Sequence, residues 1–124
     1  MANVLVVDDD AEVRAFVGRV LGKLGHRVTE ASEGGEALRL LEASHFDLVL
    51  SDVYMVEMDG MELLVRIQQR GVKVPVVVIS GGGYAAKDEV LQMAAACGAV
   101  ATLEKPFSPA QLREVAGRLL APAR

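Results

Sequence analysis

The chain carries one cysteine, two histidines, no tryptophan and only four prolines. The lone Cys97 cannot close an internal disulfide, and within "MAAACGA" it reads as a small buried helix residue. His26 and His45 offer neither a metal spacing nor a nucleophile partner; both are expected to be exposed, each near a helix end. No apolar stretch approaches the roughly 20 residues that cross a bilayer, and the N-terminus lacks a basic segment followed by a secretory hydrophobic region. These absences speak against a membrane protein and give a cytoplasmic location as the expectation. The thirteen Lys and Arg residues form no run and alternate with no aromatic stripe, and the net charge is −4, which argues against a nucleic-acid surface. With 52% hydrophobic and 24% charged residues, nothing points to disorder. A length of 124 residues fits one compact domain and leaves no room for a second.

What is present is a repeated order. Aliphatic blocks recur at "VLVV" (4–7), "RVTEA" (27–31), "DLVLS" (47–51), "VPVVVIS" (74–80) and "VATL" (100–103). Three are apolar throughout, as strands covered on both faces require, whereas "RVTEA" alternates like an edge strand. Between them lie segments of helical spacing. Val13, Phe16, Val17, Val20, Leu21 and Leu24 form the first, stopping at Gly25; Ala37, Leu38 and Leu41 mark the second, and Leu63, Leu64 and Ile67 the third. Val90, Leu91, Ala94 and Ala95 mark a fourth, and Leu112, Val115, Leu119 and Leu120 a fifth. Asp59 with Glu62 and Ser108 with Gln111 have capping-box spacing, and Pro109 suits a first helical position. Met55, Met58 and Met61 read as core and rim filling. Five alternations with short connections and right-handed crossovers predict a five-stranded parallel α/β sheet with helices on both faces. Ligands of such sheets bind beyond the carboxyl ends of the strands.

Chemistry-bearing residues gather at those ends. Asp8, Asp9 and Asp10 follow the first strand and Asp52 ends the third. Ser80 leads into Gly81, Gly82 and Gly83, and Glu104, Lys105 and Pro106 follow the fifth strand. Two carboxylates about 4 Å apart repel by roughly 4 kcal/mol at an effective dielectric near 20, so three adjacent acids need a counter-charge, a proton or a helix end. Asp10 can cap the first helix, but one helix needs one cap. If Asp52 joins Asp8 and Asp9, three hard oxygen ligands face one small volume and suit Mg²⁺; an acid cluster of purely structural origin is the alternative.

"VLVVDDDAEVR", "DLVLSDVYMVEMDGMELL", "VPVVVISGG" and "LEKPFSPAQL", in that order over nearly the whole chain, resemble the receiver domain of two-component response regulators. The resemblance implies a flavodoxin-like (βα)5 doubly wound sheet with strand order 2-1-3-4-5. It makes Asp52 the phosphoacceptor and places Mg²⁺ or Mn²⁺ on Asp8, Asp9, Asp52 and the backbone carbonyl of Tyr54. It also makes Ser80, with the following Gly81 backbone, and Lys105 the groups that hold the phosphoryl oxygens, and implies a cis bond before Pro106. The implied function is a phosphoacceptor switch charged by a sensor histidine kinase or a histidine phosphotransfer protein. It would catalyse only its own phosphorylation and dephosphorylation, and signal to a downstream protein by contact, as a monomer or weak dimer. Because the fifth helix ends just before "APAR", a stand-alone receiver over residues 1–124 without an effector domain is expected if these residues are the natural gene product, with a receiver excised from a hybrid kinase or a longer regulator as the alternative.

Several positions depart from the family pattern. Val56 stands where proline is usual after Met55, which frees a backbone angle beside Asp52. The ring of Tyr54 is expected to slow loss of the phosphoryl group. Thr102 occupies a switch position that often carries an aromatic ring, so aromatic gating is not expected and output should rely on the Ser80 loop. That loop opens with "GGGY", and the Ser80 to Lys105 spacing is about three residues longer than in commoner receivers; its glycines permit unusual backbone geometry, but no nucleotide P-loop completes it. Two alternatives from other classes are a receiver-fold docking module that is never phosphorylated and a small phosphatase with an aspartate nucleophile. The phosphatase lacks its expected partner residues, since Glu12 stands where Thr or Val belongs and no downstream acidic pair follows.

Overall fold

Short Val- and Leu-rich blocks become strands because β-branched and aliphatic side chains pack well on a pleated surface buried on both sides. The computed structural model describes residues 2–53, 60–81, 92 and 95–120. Within these, the strands are β1 (Asn3–Val7), β2 (Arg27–Ala31), β3 (Leu48–Asp52), β4 (Val76–Gly81) and β5 (Ala101–Lys105). The helices are α1 (Ala11–Gly22), α2 (Gly34–Ala43), α3 (Gly60–Gln69) and α4 (Pro109–Leu119). All strand pairs are parallel, and the order across the sheet is β2-β1-β3-β4-β5, the flavodoxin-like arrangement.

Side chains two apart on a strand share a face, and the core divides accordingly. Val4 and Val6, Leu48 and Leu50, Val77 and Ile79, and Leu103 pack with Val17 and Leu21 of α1 and Leu112, Val115 and Ala116 of α4. Leu5, Val7, Val49, Val76 and Val78 pack on the other face with Ala37, Leu38 and Leu41 of α2 and Leu63, Leu64 and Ile67 of α3. Helices therefore cover both faces, and the chain reverses its direction of winding between β1 and β3.

Strand boundaries differ from the sequence blocks by one or two residues. β4 begins at Val76 rather than Val74, since Pro75 has no N–H to give a ladder. β5 runs on to Lys105 because Ser80 and Gly81 of β4 pair with Glu104 and Lys105, and β3 takes in Asp52.

Caps fix where the helices start and stop. Asp10 caps α1 by accepting from the Glu12 N–H at 2.9 Å. Ser108 and Gln111 form the reciprocal capping box of α4 with Pro109 in the first turn. The His26 N–H donates to the Leu21 carbonyl and the Gly25 N–H to that of Gly22, with Gly25 at φ 90°, the pairing of a Schellman stop. α3 stops the same way, with Val72 donating to Ile67, Gly71 to Gln68, and Gly71 at φ 73°.

Three sequence expectations are corrected. α1 ends at Gly22, so Leu24 falls in the turn and is 49% exposed rather than in the helix core. Cys97 is half-buried in a turn, packed against the α2/α3 core, not inside a helix. His26 is half-buried, not exposed, because its Nδ1 accepts from the Ala2 N–H at 3.2 Å. His45 is exposed as expected and pairs with Asp47. Met61 packs against the α2/α3 core. The fourth expected helix at Val90, Leu91 and Ala94, the Asp59 cap, Tyr54, Met55, Val56 and Met58, and Gly82 to Tyr84 lie outside the described residues.

Candidate functional site

The site is an extension of the α1/α4 face of the sheet. Asp8 continues the row Val4, Val6 of β1; Asp52 continues Leu48, Leu50 of β3; Lys105 continues Leu103 of β5. Period-two alternation thus delivers two carboxylates and one ammonium to the same side of the sheet. On β4, between β3 and β5, that row runs Val77, Ile79 and then Gly81, which has no side chain to stand between Lys105 and Asp52. The two carboxylates emerge from β1 and β3, the neighbours on either side of the winding reversal, where open α/β sheets form their binding crevice.

Burial and charge are concentrated there. Asp8 is 0% and Asp52 5% exposed, the only acidic residues buried among those described. Lys105 Nζ lies 3.1 Å from Asp8 Oδ2 and 3.2 Å from Asp52 Oδ2, to which it donates a hydrogen bond. Burial opposes the charge on Lys105, but the carboxylates of Asp52 and Asp8 outweigh it, and its pKa is raised above the usual lysine range. The Lys105–Pro106 bond is cis.

The three adjacent acids divide their roles. Asp8 Oδ1 accepts from the Asp10 N–H at 2.9 Å, tying the loop to itself. Asp10 turns away to cap α1. Asp9, exposed between them, brings a carboxylate oxygen to the cluster: ligand atoms of Asp8, Asp9 and Asp52 lie within 4.8 Å of one another. Asp8 Oδ2 is buried, and its partner among the described residues is the Lys105 ammonium at 3.1 Å, which it shares with Asp52. One ammonium faces three carboxylates, and a buried oxygen is left with capacity to spare. Hard oxygen donors with that excess of negative charge fit Mg²⁺ or Mn²⁺. The softer candidates are elsewhere: His26 and His45 precede β2 and β3, at the opposite ends of the strands.

Other expected site residues stand at graded distances from this centre. Ser80 is half-buried near the end of β4, one position beyond Ile79, the partner of Asp52. No hydrogen bond links its hydroxyl to Asp8, Asp52 or Lys105 among the described residues. Gly81 pairs with Lys105 in the ladder. Thr102 is half-buried and pairs with Val78, farther down β5 than the crevice. Tyr54 is outside the described residues. One residue was missed in the sequence. Arg14 Nη1 donates to the Asp8 carbonyl at 2.6 Å and Nε to Glu30 Oε1 at 3.0 Å. The signal available was its place one turn after the Asp10 cap, from which a long side chain can fold back over the acidic loop.

Fold and pocket together define a small α/β domain whose acidic crevice at the winding reversal is closed by a lysine from the last strand. The chain belongs to the response regulator receiver domain family, whose sequence model matches residues 4–116. It is 39% identical over 105 residues to the sensor histidine kinase RcsC of Escherichia coli (strain K12), covering 85% of this chain and 11% of that protein. It is 40% identical over 82 residues to the transcriptional regulatory protein GlrR of the same organism, covering 66% of this chain and 18% of that one. The chain therefore spans less than a fifth of either relative. Among solved structures, the chemotaxis protein CheY4 of Vibrio cholerae superposes with a TM-score of 0.88 at 33% identity, covering 97% of this chain and 99% of that chain. The receiver domain of NtrX from Brucella abortus gives 0.87 at 34% identity, with 97% and 99% covered.

Proposed function

We propose that this receiver domain is a phosphoacceptor switch in which Asp52 takes a phosphoryl group from a phosphohistidine. The observation that carries the proposal is the position of Asp52. It is buried, its carboxylate clusters with those of Asp8 and Asp9, and the Lys105 ammonium stands 3.2 Å away. A carboxylate is a weak nucleophile, so transfer depends on alignment and on neutralising the oxygens of the transferred group. In the transfer the phosphorus–nitrogen bond of the donor breaks as a phosphorus–oxygen bond to Asp52 forms. The electron pair stays with the departing imidazole.

Asp8, Asp9, Asp52 and the Tyr54 carbonyl would hold Mg²⁺ or Mn²⁺, which when bound supplies positive charge to the phosphoryl oxygens. Lys105, already desolvated and charged, moves its hydrogen bond from the carboxylate to a phosphoryl oxygen. Ser80 and the Gly81 backbone are placed at the end of β4 to meet another, and drawing Ser80 inward is the change that a partner reads. With Thr102 in place of an aromatic ring, that reading rests on the loop after β4. The domain acts on itself alone and turns over no separate substrate. A histidine-containing donor is supported by the likeness to RcsC, a sensor histidine kinase. No helix among the described residues is long and apolar enough to cross a membrane.

The test is incubation with acetyl phosphate and Mg²⁺ followed by intact-mass measurement. Wild type should gain one phosphoryl group; Asp52→Ala should gain none, and EDTA should abolish the gain. An unmodified wild type with acetyl phosphate and with a phosphorylated histidine donor would leave a docking module in place of the switch.

A further inference from the structure

Among the described residues, Arg14 is the only cation other than Lys105 that is joined to the acidic loop, and it is joined through the backbone. Its side chain is 17% exposed, and its guanidinium spans from the Asp8 carbonyl to Glu30 on the edge strand β2. Three further bonds close the same loop. The Asp10 N–H donates to Asp8 Oδ1, the Glu12 N–H to Asp10 Oδ1, and the Arg14 N–H to the Asp10 carbonyl. Asp9 is left between two fixed neighbours, with no hydrogen bond or ion pair of its own among the described residues.

The Asp8 carbonyl and the Asp9 N–H belong to one planar peptide unit. Whatever holds that oxygen sets the plane, and the plane sets the direction in which Asp9 leaves the loop. We infer that Arg14 is a positioning residue for the metal pocket: by clamping the Asp8 carbonyl to Glu30 it aims the Asp9 carboxylate at Asp8 and Asp52. A guanidinium holds the carbonyl and the carboxylate in directions fixed by its planar fork, whereas a lysine ammonium is a point charge on a flexible stem, so Arg14→Lys keeps the charge but not the geometry. The role rests on the proposal that Asp8, Asp9 and Asp52 bind a divalent cation.

Charge and position make opposite predictions, which is what allows a test. If Arg14 acted only through its charge, removing it would strengthen cation binding. If it positions Asp9, removing it weakens binding, because outer partners that orient metal ligands typically contribute about 10- to 100-fold in affinity. Mn²⁺ binding is measured by electron paramagnetic resonance on the full chain with no phosphodonor present, for wild type, Arg14→Gln, Arg14→Lys and Glu30→Ala. Arg14→Gln should bind Mn²⁺ about 10-fold or more weakly despite its lost positive charge. Arg14→Lys should also bind more weakly although its charge is kept, and Glu30→Ala should show a smaller loss. Circular dichroism establishes the folded fraction of each variant; if Arg14→Gln does not fold, Arg14→Lys carries the test. Unchanged or tighter binding by folded Arg14→Gln or Arg14→Lys overturns the inference while leaving the metal pocket standing. A wild type that binds no Mn²⁺ overturns the metal pocket itself, and the inference with it.

Discussion

Asp8 and Asp52 are buried acids that share the Lys105 ammonium among the described residues, so removing it takes away an ion pair from each of two carboxylates held out of water. Breaking a buried pair by deleting one partner typically costs 3–5 kcal/mol, and because Lys105 is 26% exposed the lower end applies. Lys105→Met should therefore lose roughly 3 kcal/mol of stability in urea unfolding without divalent cations. Mg²⁺ should return part of the loss, since it can replace the missing positive charge. A midpoint unchanged in Lys105→Met would show that the ion pairs contribute nothing to the fold. Asp9 behaves differently because it is exposed and, among the described residues, pairs with no cation. In EDTA Asp9→Ala should be at least as stable as wild type, yet it should lose the stabilisation that Mg²⁺ gives wild type. With Mg²⁺ bound at the proposed site, that stabilisation would be about 2.7 kcal/mol when free Mg²⁺ is 100 times its dissociation constant.

The ends of the elements set the scaffold that brings these residues together. α4 starts at a reciprocal capping box just after Lys105, the last residue of β5, and Pro106. Ser108→Ala should cost about 1 kcal/mol in the same unfolding measurement. Gln111→Ala should cost less, because it removes the side-chain half of the box only. At the far end of α3, Gly71 has φ 73° with open space where a Cβ would stand. Gly71→Ala should therefore lose about 1–2 kcal/mol through backbone strain without any clash. A loss that vanished at Gly71 but persisted at Ser108 would mean that the Schellman turn relaxes while the cap does not.

Across the whole molecule, the site end and the opposite end of the sheet respond to different conditions. Below the strands, Asp47 Oδ2 accepts from the Asn3 N–H at 2.8 Å and its other oxygen pairs with His45. The hydrogen bond from Asn3 holds the Asp47 carboxyl below its usual value of 3.8; burial opposes it, and His45 lowers it further. A carboxylate whose pKa is lower in the folded state contributes stability that is complete above its unfolded value and is lost as pH falls through the folded one. The contribution of Asp47 is thus present above pH 3.8 and disappears in more acid solution. Asp47→Asn should show a shallower fall in stability over that acid range than wild type, measured by urea unfolding at several pH values. Equal slopes would mean that the start of β1 is held by the sheet ladder alone.

Periodicity in the chain was enough to determine the alternation of strands and helices, the two-faced core and the principal caps. Val4 to Val7 and Val76 to Ile79 could be satisfied only by burial on both sides, and Asp10, Ser108 and Gly25 are local signals that act within a few residues. The acids and the lysine at strand ends were likewise legible, because a parallel sheet sends all its carboxyl ends to one side. Tertiary structure alone decided what local sequence does not encode. Turn geometry withdrew Leu24 from the helix that its apolar spacing implied and Cys97 from the helix that its small neighbours implied, and half-buried His26 was recruited by Ala2 from 24 positions away. It also decided that Asp8 and Asp52 share one ammonium, since that depends on the order of β1, β3 and β5 across the sheet. The fold of Arg14 back onto the Asp8 carbonyl depends on the same kind of information, because Glu30, its second anchor, reaches it only once β2 has paired beside β1.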